Sequence, residues 1–157
     1  MVTDTPALEV LAGTDLTYEV TRTKPAGSIG EAALLRGVPV GSILKTLVVR
    51  RGEDDHVFVV LAGDRVIDWA KLRAALNVRR LSLPDADEAR AVTGYERGAI
   101  TPFGAATALP VIIDGTIAAK EDVSIGGGAH GVSVRIDATS LIGALEADVA
   151  DVSKPAE

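Results

Sequence analysis

Apolar positions along this chain fall into two kinds of short run, β-branched stretches and alanine-rich ones, and the two kinds interleave from one end to the other. The β-branched runs predict strands at residues 17–20, 43–50, 56–61, 78–83, 109–114, 123–125 and 132–136. In the last of these Val132, Val134 and Ile136 alternate with Ser133 and Arg135, which predicts one dry and one wet face. The alanine-rich runs carry helix punctuation. Thr5-Pro6 opens one that Gly13 stops, and Ser28 with Glu31 forms a capping box ahead of a helix over residues 29–36, closed by Gly37 and Pro39. Asp68 caps a third helix through Trp69, Leu72 and Leu76. Pro84 opens a fourth that ends at Gly94, and Asp137 precedes a last one reaching Leu145. Residues 95–108 show no period and form the longest irregular stretch, and residues 146–157 read as a polar tail. Strands and helices mixed without regular βαβ alternation predict an α+β domain built on a mixed sheet or open barrel.

Within that pattern one polar residue stands out. Ile43, Lys45, Leu47 and Val49 share one face of a strand and Leu44, Thr46 and Val48 the other, so Lys45 stands among aliphatic neighbours. Its ammonium either runs its methylenes along the apolar surface to water, or faces a cavity where an anionic or polar ligand supplies its partner.

Composition narrows the chemistry. At 157 residues and 47% apolar, with a mean hydropathy of +0.26, the chain is expected to be one compact domain over residues 1–157, with its core at about 17–145. Aromatics make up only 3%, so the core falls to Val, Leu, Ile and Ala. The absence of cysteine excludes disulfides, thiolate nucleophiles and cysteine-based zinc sites. A net charge of −6 argues against a protein that coats nucleic acid through a bulk field, but leaves room for one that grips a nucleic-acid end with a few donors. The first twenty residues hold four acidic side chains, no Lys or Arg and no long apolar run, so a cytoplasmic location without membrane contact is expected.

Two loops are candidates for backbone approach to a ligand. In residues 98–104, Pro102 fixes its own φ and pushes Thr101 extended, which makes a rigid loop with glycine at each end. Residues 126–131 contain G-x-G-x-x-G, yet a strand rather than a helix follows, so the dinucleotide fingerprint is rejected in favour of a tight turn. Such a turn can form a nest of N–H groups, with His130 at its surface. Glu53, Asp54, Asp55 and His56 are adjacent on one turn and read as a solvated hairpin tip, and no metal or cofactor is expected. No nucleophile elbow or triad pattern surrounds any serine. An enzyme built this way would work by binding and positioning.

Five stretches, taken in order, carry a family resemblance: residues 45–49 (KTLVV), 92–95 (VTGY), Gly98-x-x-x-Pro102-Phe103-Gly104, residues 109–114 (LPVIID) and residues 127–131 (GGAHG). With these the chain resembles the YbaK/prolyl-tRNA synthetase-associated editing domains over about residues 18–145. The resemblance implies a mixed sheet curled into a partly open barrel with flanking short helices. It implies a trans-acting deacylase that cleaves mischarged tRNA(Pro), such as Cys-tRNA(Pro) or Ala-tRNA(Pro), without a protein nucleophile. The partners would be the 3′ acceptor end of an aminoacyl-tRNA and an aminoacyl-tRNA synthetase. Lys45 is the implied catalytic residue, holding the 3′-terminal nucleotide, with Thr46, Gly98, Thr101, Pro102, Phe103, Gly127, Gly128 and His130 binding substrate. Ala129-His130 replaces a basic pair found in the cysteinyl deacylases, and Val20 a histidine. Gly126-x-x-x-His130 looks like the alanyl-specific relatives and Thr46 like the cysteinyl ones, so the acyl group stays open. A non-catalytic module that reads a nucleotide end or regulates a synthetase is the alternative.

Overall fold

A computed structural model describes residues 5–156. Local chemistry accounts for where its elements start and stop. Helix α1 (Pro6–Ala12) has Thr5 as N-cap, and strand β1 (Tyr18–Arg22) follows. In α2 (Ile29–Arg36) the Ser28 hydroxyl accepts from Glu31 N–H, while the Glu31 carboxylate reaches the N–H of Gly27 rather than that of Ser28. Gly37 ends this helix at φ 71°, a conformation open to glycine at little cost. A long hairpin of β2 (Leu44–Gly52) and β3 (Asp55–Ala62) leads to β4 (Arg65–Ile67). Asp68 caps α3 (Trp69–Leu76), and Asp85 caps α4 (Ala86–Thr93). Then come β5 (Val111–Asp114), the single turn α5 (Gly115–Ala118), β6 (Asp122–Gly126), β7 (Val132–Asp137), α6 (Ala138–Leu145), β8 (Asp148–Ala150) and β9 (Ser153–Pro155).

Three sheets result, in the orders β1-β7-β6, β2-β3-β5-β8 and β4-β9. The first is antiparallel. The second is mixed, with β2 and β3 antiparallel and β5 parallel to both β3 and β8. A parallel bridge between Ile43 and Ser124 joins the first two sheets at one corner, so the barrel is open rather than closed. The main core fills the space between them with Leu44, Val48, Phe58, Ile113, Ile125, Val134 and Leu141, and a second cluster around Val49, Val57, Leu61 and Leu72 packs β2 and β3 against α3. Among the described residues no helix is long and apolar enough to cross a membrane.

The structure corrects the sequence expectations at four places. Residues 78–83 form no strand, only a two-way bridge between Arg50 and Ser82, because consecutive Arg79 and Arg80 turn outward instead of alternating. Residues 148–155 are not a tail: β8 extends the β3-β5 sheet and β9 pairs with β4, with Val152 and Ser153 fully buried. Glu157 lies outside the described residues. The core also begins earlier than residue 17, since Ala7, Leu8 and Leu11 of α1 are buried in it. Finally, Ser133 is buried with the dry side chains of β7, which runs between β1 and β6.

Candidate active site

The Lys45 strand determines the site. Alternation along β2 sends Leu44 and Val48 into the main core and Leu47 and Val49 toward the second cluster, with Lys45 and Thr46 half-buried between them. The Lys45 ammonium donates to the carbonyl of Arg65 on β4. Burial pushes its pKa below the ordinary lysine value, and the nearby Asp64 carboxylate opposes that shift. The strand β4 is itself fixed by the C-terminal segment: Arg65 donates through Nε to Ser153 Oγ and through Nη2 to Ser153 O, the latter at 3.3 Å. A segment read as a tail thus orders the platform on which the lysine head rests.

A cavity of about 650 Å³ opens in front of β2. Residues 43–48, α2 with the loop before it, Leu83, Pro84 and Ala89 line it, and Arg97, Gly98, Ile100, Gly126 and residues 129–132 complete the wall. Lys45, Thr46, Gly98 and His130 therefore meet in one space, although up to 85 positions separate them in the chain. Gly98 has φ 90°, and a Cβ there would lie 3.2 Å from His130 Cε1, so the glycine lets the imidazole lie against the loop backbone. The ring is about half exposed, with Nε2 3.6 Å from Glu96 Oε2.

The other predicted residues stand outside this lining. Thr101 and Phe103 are buried, and Phe103 accepts at its carbonyl a hydrogen bond of 2.6 Å from the hydroxyl of Tyr95, which stiffens the loop from behind. Pro102 is half-buried and also outside the cavity wall. Gly127 spends its N–H on Val132 O at 2.8 Å and accepts at its carbonyl from Thr5, so it is not an uncommitted donor toward a ligand. Gly128 has φ 93° and backs onto Tyr95 and Thr5. Together with Gly104, packed on Pro6, these glycines seat both loops on the start of α1 and shape the turn from behind the cavity.

Two features of the lining were not visible in the sequence. The first is its charge. Arg36, Lys45 and Arg97 line the cavity with His130, and no Asp or Glu does so, in a protein whose net charge is −6. The second is Thr46 Oγ1, the one buried side-chain polar atom among the described residues that has no hydrogen-bond partner. An unmade hydrogen bond at a buried hydroxyl costs about 1–3 kcal/mol, and a ligand group in the cavity would recover it.

A second concavity, of about 400 Å³, is lined by Arg50, Arg51, Arg73, Arg79 and Arg80 together with Leu81 and Ser82. Here carboxylates are close. Glu88 of α4 accepts from Arg50 at 2.8 Å and lies 2.7 Å from Nε2 of the buried His56, and Asp55 takes the fork of Arg51 at 2.9 and 3.0 Å. The hydrogen bonds from Arg51 hold the Asp55 carboxyl below the usual carboxylate range. His56 thus belongs to the β3 strand rather than to the acidic turn tip.

A family model for the aminoacyl-tRNA editing domain matches residues 23–143. The proline–tRNA ligase of Lactobacillus gasseri is 30% identical over 110 residues, 69% of this chain and 19% of that protein; the chain spans about a fifth of the length of such ligases. A protein of Enterococcus faecalis carrying the provisional name Cys-tRNA(Pro)/Cys-tRNA(Cys) deacylase EbsC is 22% identical, with 87% of this chain and 83% of that one covered. A crystal structure described as a candidate trans-editing enzyme for prolyl-tRNA synthetase superposes with a TM-score of 0.80 at 28% identity, covering 87% of each chain.

Proposed function

Because the chain belongs to the aminoacyl-tRNA editing domain family, we propose that it is a trans-acting deacylase that hydrolyses the ester of mischarged tRNA(Pro), such as cysteinyl- or alanyl-tRNA(Pro). The observation that carries the reading is the cavity lined by cations with no carboxylate, in a protein that is acidic overall. An aminoacyl-tRNA end offers phosphates, a neutral ester and a cationic α-amino group. A cationic cavity selects the nucleotide part and leaves the ester to be placed by shape.

In this reading Lys45 holds the 3′-terminal nucleotide and the Thr46 hydroxyl takes a hydrogen bond from the substrate end. Gly98 and His130 close the mouth of the cavity. Among the described residues no serine or threonine of the lining is hydrogen-bonded to a histidine, and the chain has no cysteine, so attack falls to water. The water oxygen adds to the ester carbonyl, the bond between acyl carbon and ribose oxygen breaks, and the departing ribose oxygen takes up the proton that the water gives up. The products are the free amino acid and an uncharged tRNA. Positioning of this kind can supply several kcal/mol of the barrier without a covalent step. The arginine-lined concavity gives the acceptor stem a place to lay its phosphates, and a prolyl-tRNA synthetase is the partner that makes such a substrate.

A second reading, a non-catalytic module that reads a nucleotide end, is favoured by one observation: the sole imidazole of the lining is half exposed, with the exposed Glu96 carboxylate 3.6 Å from it and no hydroxyl hydrogen-bonded to it among the described residues. Loss of ester from cysteinyl- and alanyl-tRNA(Pro), followed against a buffer blank, separates the two. Faster loss on either substrate supports the deacylase, and rates equal to the blank on both support the module.

A further inference from the structure

Arg36 ends α2 at the corner where the two main sheets meet, and it lines the same cavity as Lys45. Of five N–H donors, one is engaged, from Nη1 to Ser124 Oγ at 3.2 Å. Arg36 makes no ion pair among the described residues, whereas Arg50, Arg51, Arg65 and Arg135 each have a carboxylate within 4.0 Å. Burial lowers its pKa, the direction expected of a cation deprived of water without receiving an anion in return. A position in the last turn of a helix explains why a cation is tolerated there. It does not explain why the cation is turned inward, since an exposed arginine would interact with the helix dipole at no desolvation cost.

We infer that Arg36 is a phosphate-binding residue of this cavity, taking the phosphodiester on the 5′ side of the terminal nucleoside. The inference rests on the reading that the cavity receives the 3′ end of an aminoacyl-tRNA. At that end phosphate is the only anion, because the amino acid's carboxyl is tied up as the ester and its amino group is cationic. A guanidinium presents paired N–H groups that match two phosphate oxygens, and four unused donors remain after the bond to Ser124. Lys45, with its head on the Arg65 carbonyl, offers a point charge from the neighbouring strand. Two cations of different geometry then fix the terminal nucleotide more tightly than either alone.

The test is the ratio of dissociation constants for adenosine and adenosine 5′-monophosphate, measured by titration on wild type, Arg36→Gln and Arg36→Lys, with a melting curve for each. Wild type is expected to bind the monophosphate about tenfold tighter than adenosine, the size of one charge-assisted contact. Arg36→Gln is expected to cut the ratio by about threefold or more with adenosine binding unchanged, what is left coming from the point charge of Lys45, and Arg36→Lys to retain more of the preference. A ratio that survives Arg36→Gln, an equal weakening of both ligands, or a wild type with no preference would each overturn the inference. If Arg36→Gln does not fold, Arg36→Lys decides: a ratio as large as that of wild type overturns the inference, because a point charge cannot replace the fork. Since none of this requires hydrolysis, a chain that shows the phosphate effect yet leaves mischarged tRNA intact would sink the deacylase reading alone.

Discussion

Two concavities of this molecule are lined by cations, and they manage them in opposite ways. In the cleft, Arg50 and Arg51 are matched by Glu88 and Asp55, so part of the positive charge is neutralised within the protein. In the cavity, Lys45 and Arg36 hydrogen-bond to a carbonyl and a hydroxyl, both neutral acceptors, and of the two only Lys45 has a carboxylate, Asp64, close enough to act on its charge. Paired arginines brace an interface between strand and helix; neutrally held cations keep their field for a ligand. Helix α4 touches both regions, with Ala89 in the lining of the cavity and Glu88 bonded to Arg50 of the cleft.

A large effect is expected from giving the cavity what the cleft already has. Ala129→Asp places a carboxylate in the lining, and at a separation of about 5 Å and an effective dielectric near 20 its attraction for the cations is worth roughly 3 kcal/mol, or about a hundredfold in kcat/KM. The melting temperature should change little, because the site is on a partly exposed turn. Removing charge from the cleft should act on binding alone. Arg79→Gln with Arg80→Gln is expected to lower tRNA affinity about tenfold and to flatten the log–log salt slope by about two, while turnover of a small aminoacyl nucleoside is unchanged. Neither arginine makes an ion pair among the described residues, so the loss falls on the ligand.

Glu88→Gln unpairs the cleft from within. It deprives Arg50 and the buried His56 of their shared carboxylate and should cost about 1–2 kcal/mol in urea unfolding, while tRNA affinity holds or rises as Arg50 is released. The smallest effect belongs to a carboxylate outside both regions. Burial by itself would raise the pKa of Asp114, but hydrogen bonds from Thr116, Val152 and Ser153 outweigh it and hold the group below the usual range. A depressed carboxylate stabilises the fold above its unfolded pKa and loses that contribution as pH falls through the folded value. Asp114→Asn should therefore cost about 1 kcal/mol near neutrality and shrink the acid-side decline in stability, reaching the cavity only through Arg65, whose guanidinium lies 3.9 Å from Asp114.

How far the sequence reveals this arrangement depends on the range of the interactions involved. The helix caps at Ser28 and Asp68 are legible because a cap closes a ring of three or four residues. Lys45 is legible because alternation along one strand places it among aliphatics, and the family resemblance adds its role. Residues 148–155 are not: two three-residue strands carry almost no period of their own, and their order comes from β5 and β4, far away in the chain. Arg36 gives no signal either, since arginine in a last helical turn is ordinary, and what sets it apart is the missing carboxylate. The glycines of residues 126–131 announce a tight turn, but only the packing of Gly127 and Gly128 against Val132, Tyr95 and Thr5 shows that they support the cavity wall from outside.

The central claim, that Lys45 positions the substrate for attack by water, is tested most directly by single-turnover loss of the ester from mischarged tRNA(Pro) with wild type and Lys45→Ala side by side. Losing one charge-assisted contact made in the transition state is worth roughly 2–4 kcal/mol, so the variant should be slower by about thirtyfold to a thousandfold. Its unfolding free energy should stay within about 1 kcal/mol of wild type, as expected for a half-exposed side chain. A Lys45→Ala protein that is fully folded and strips the ester at the wild-type rate would contradict the account.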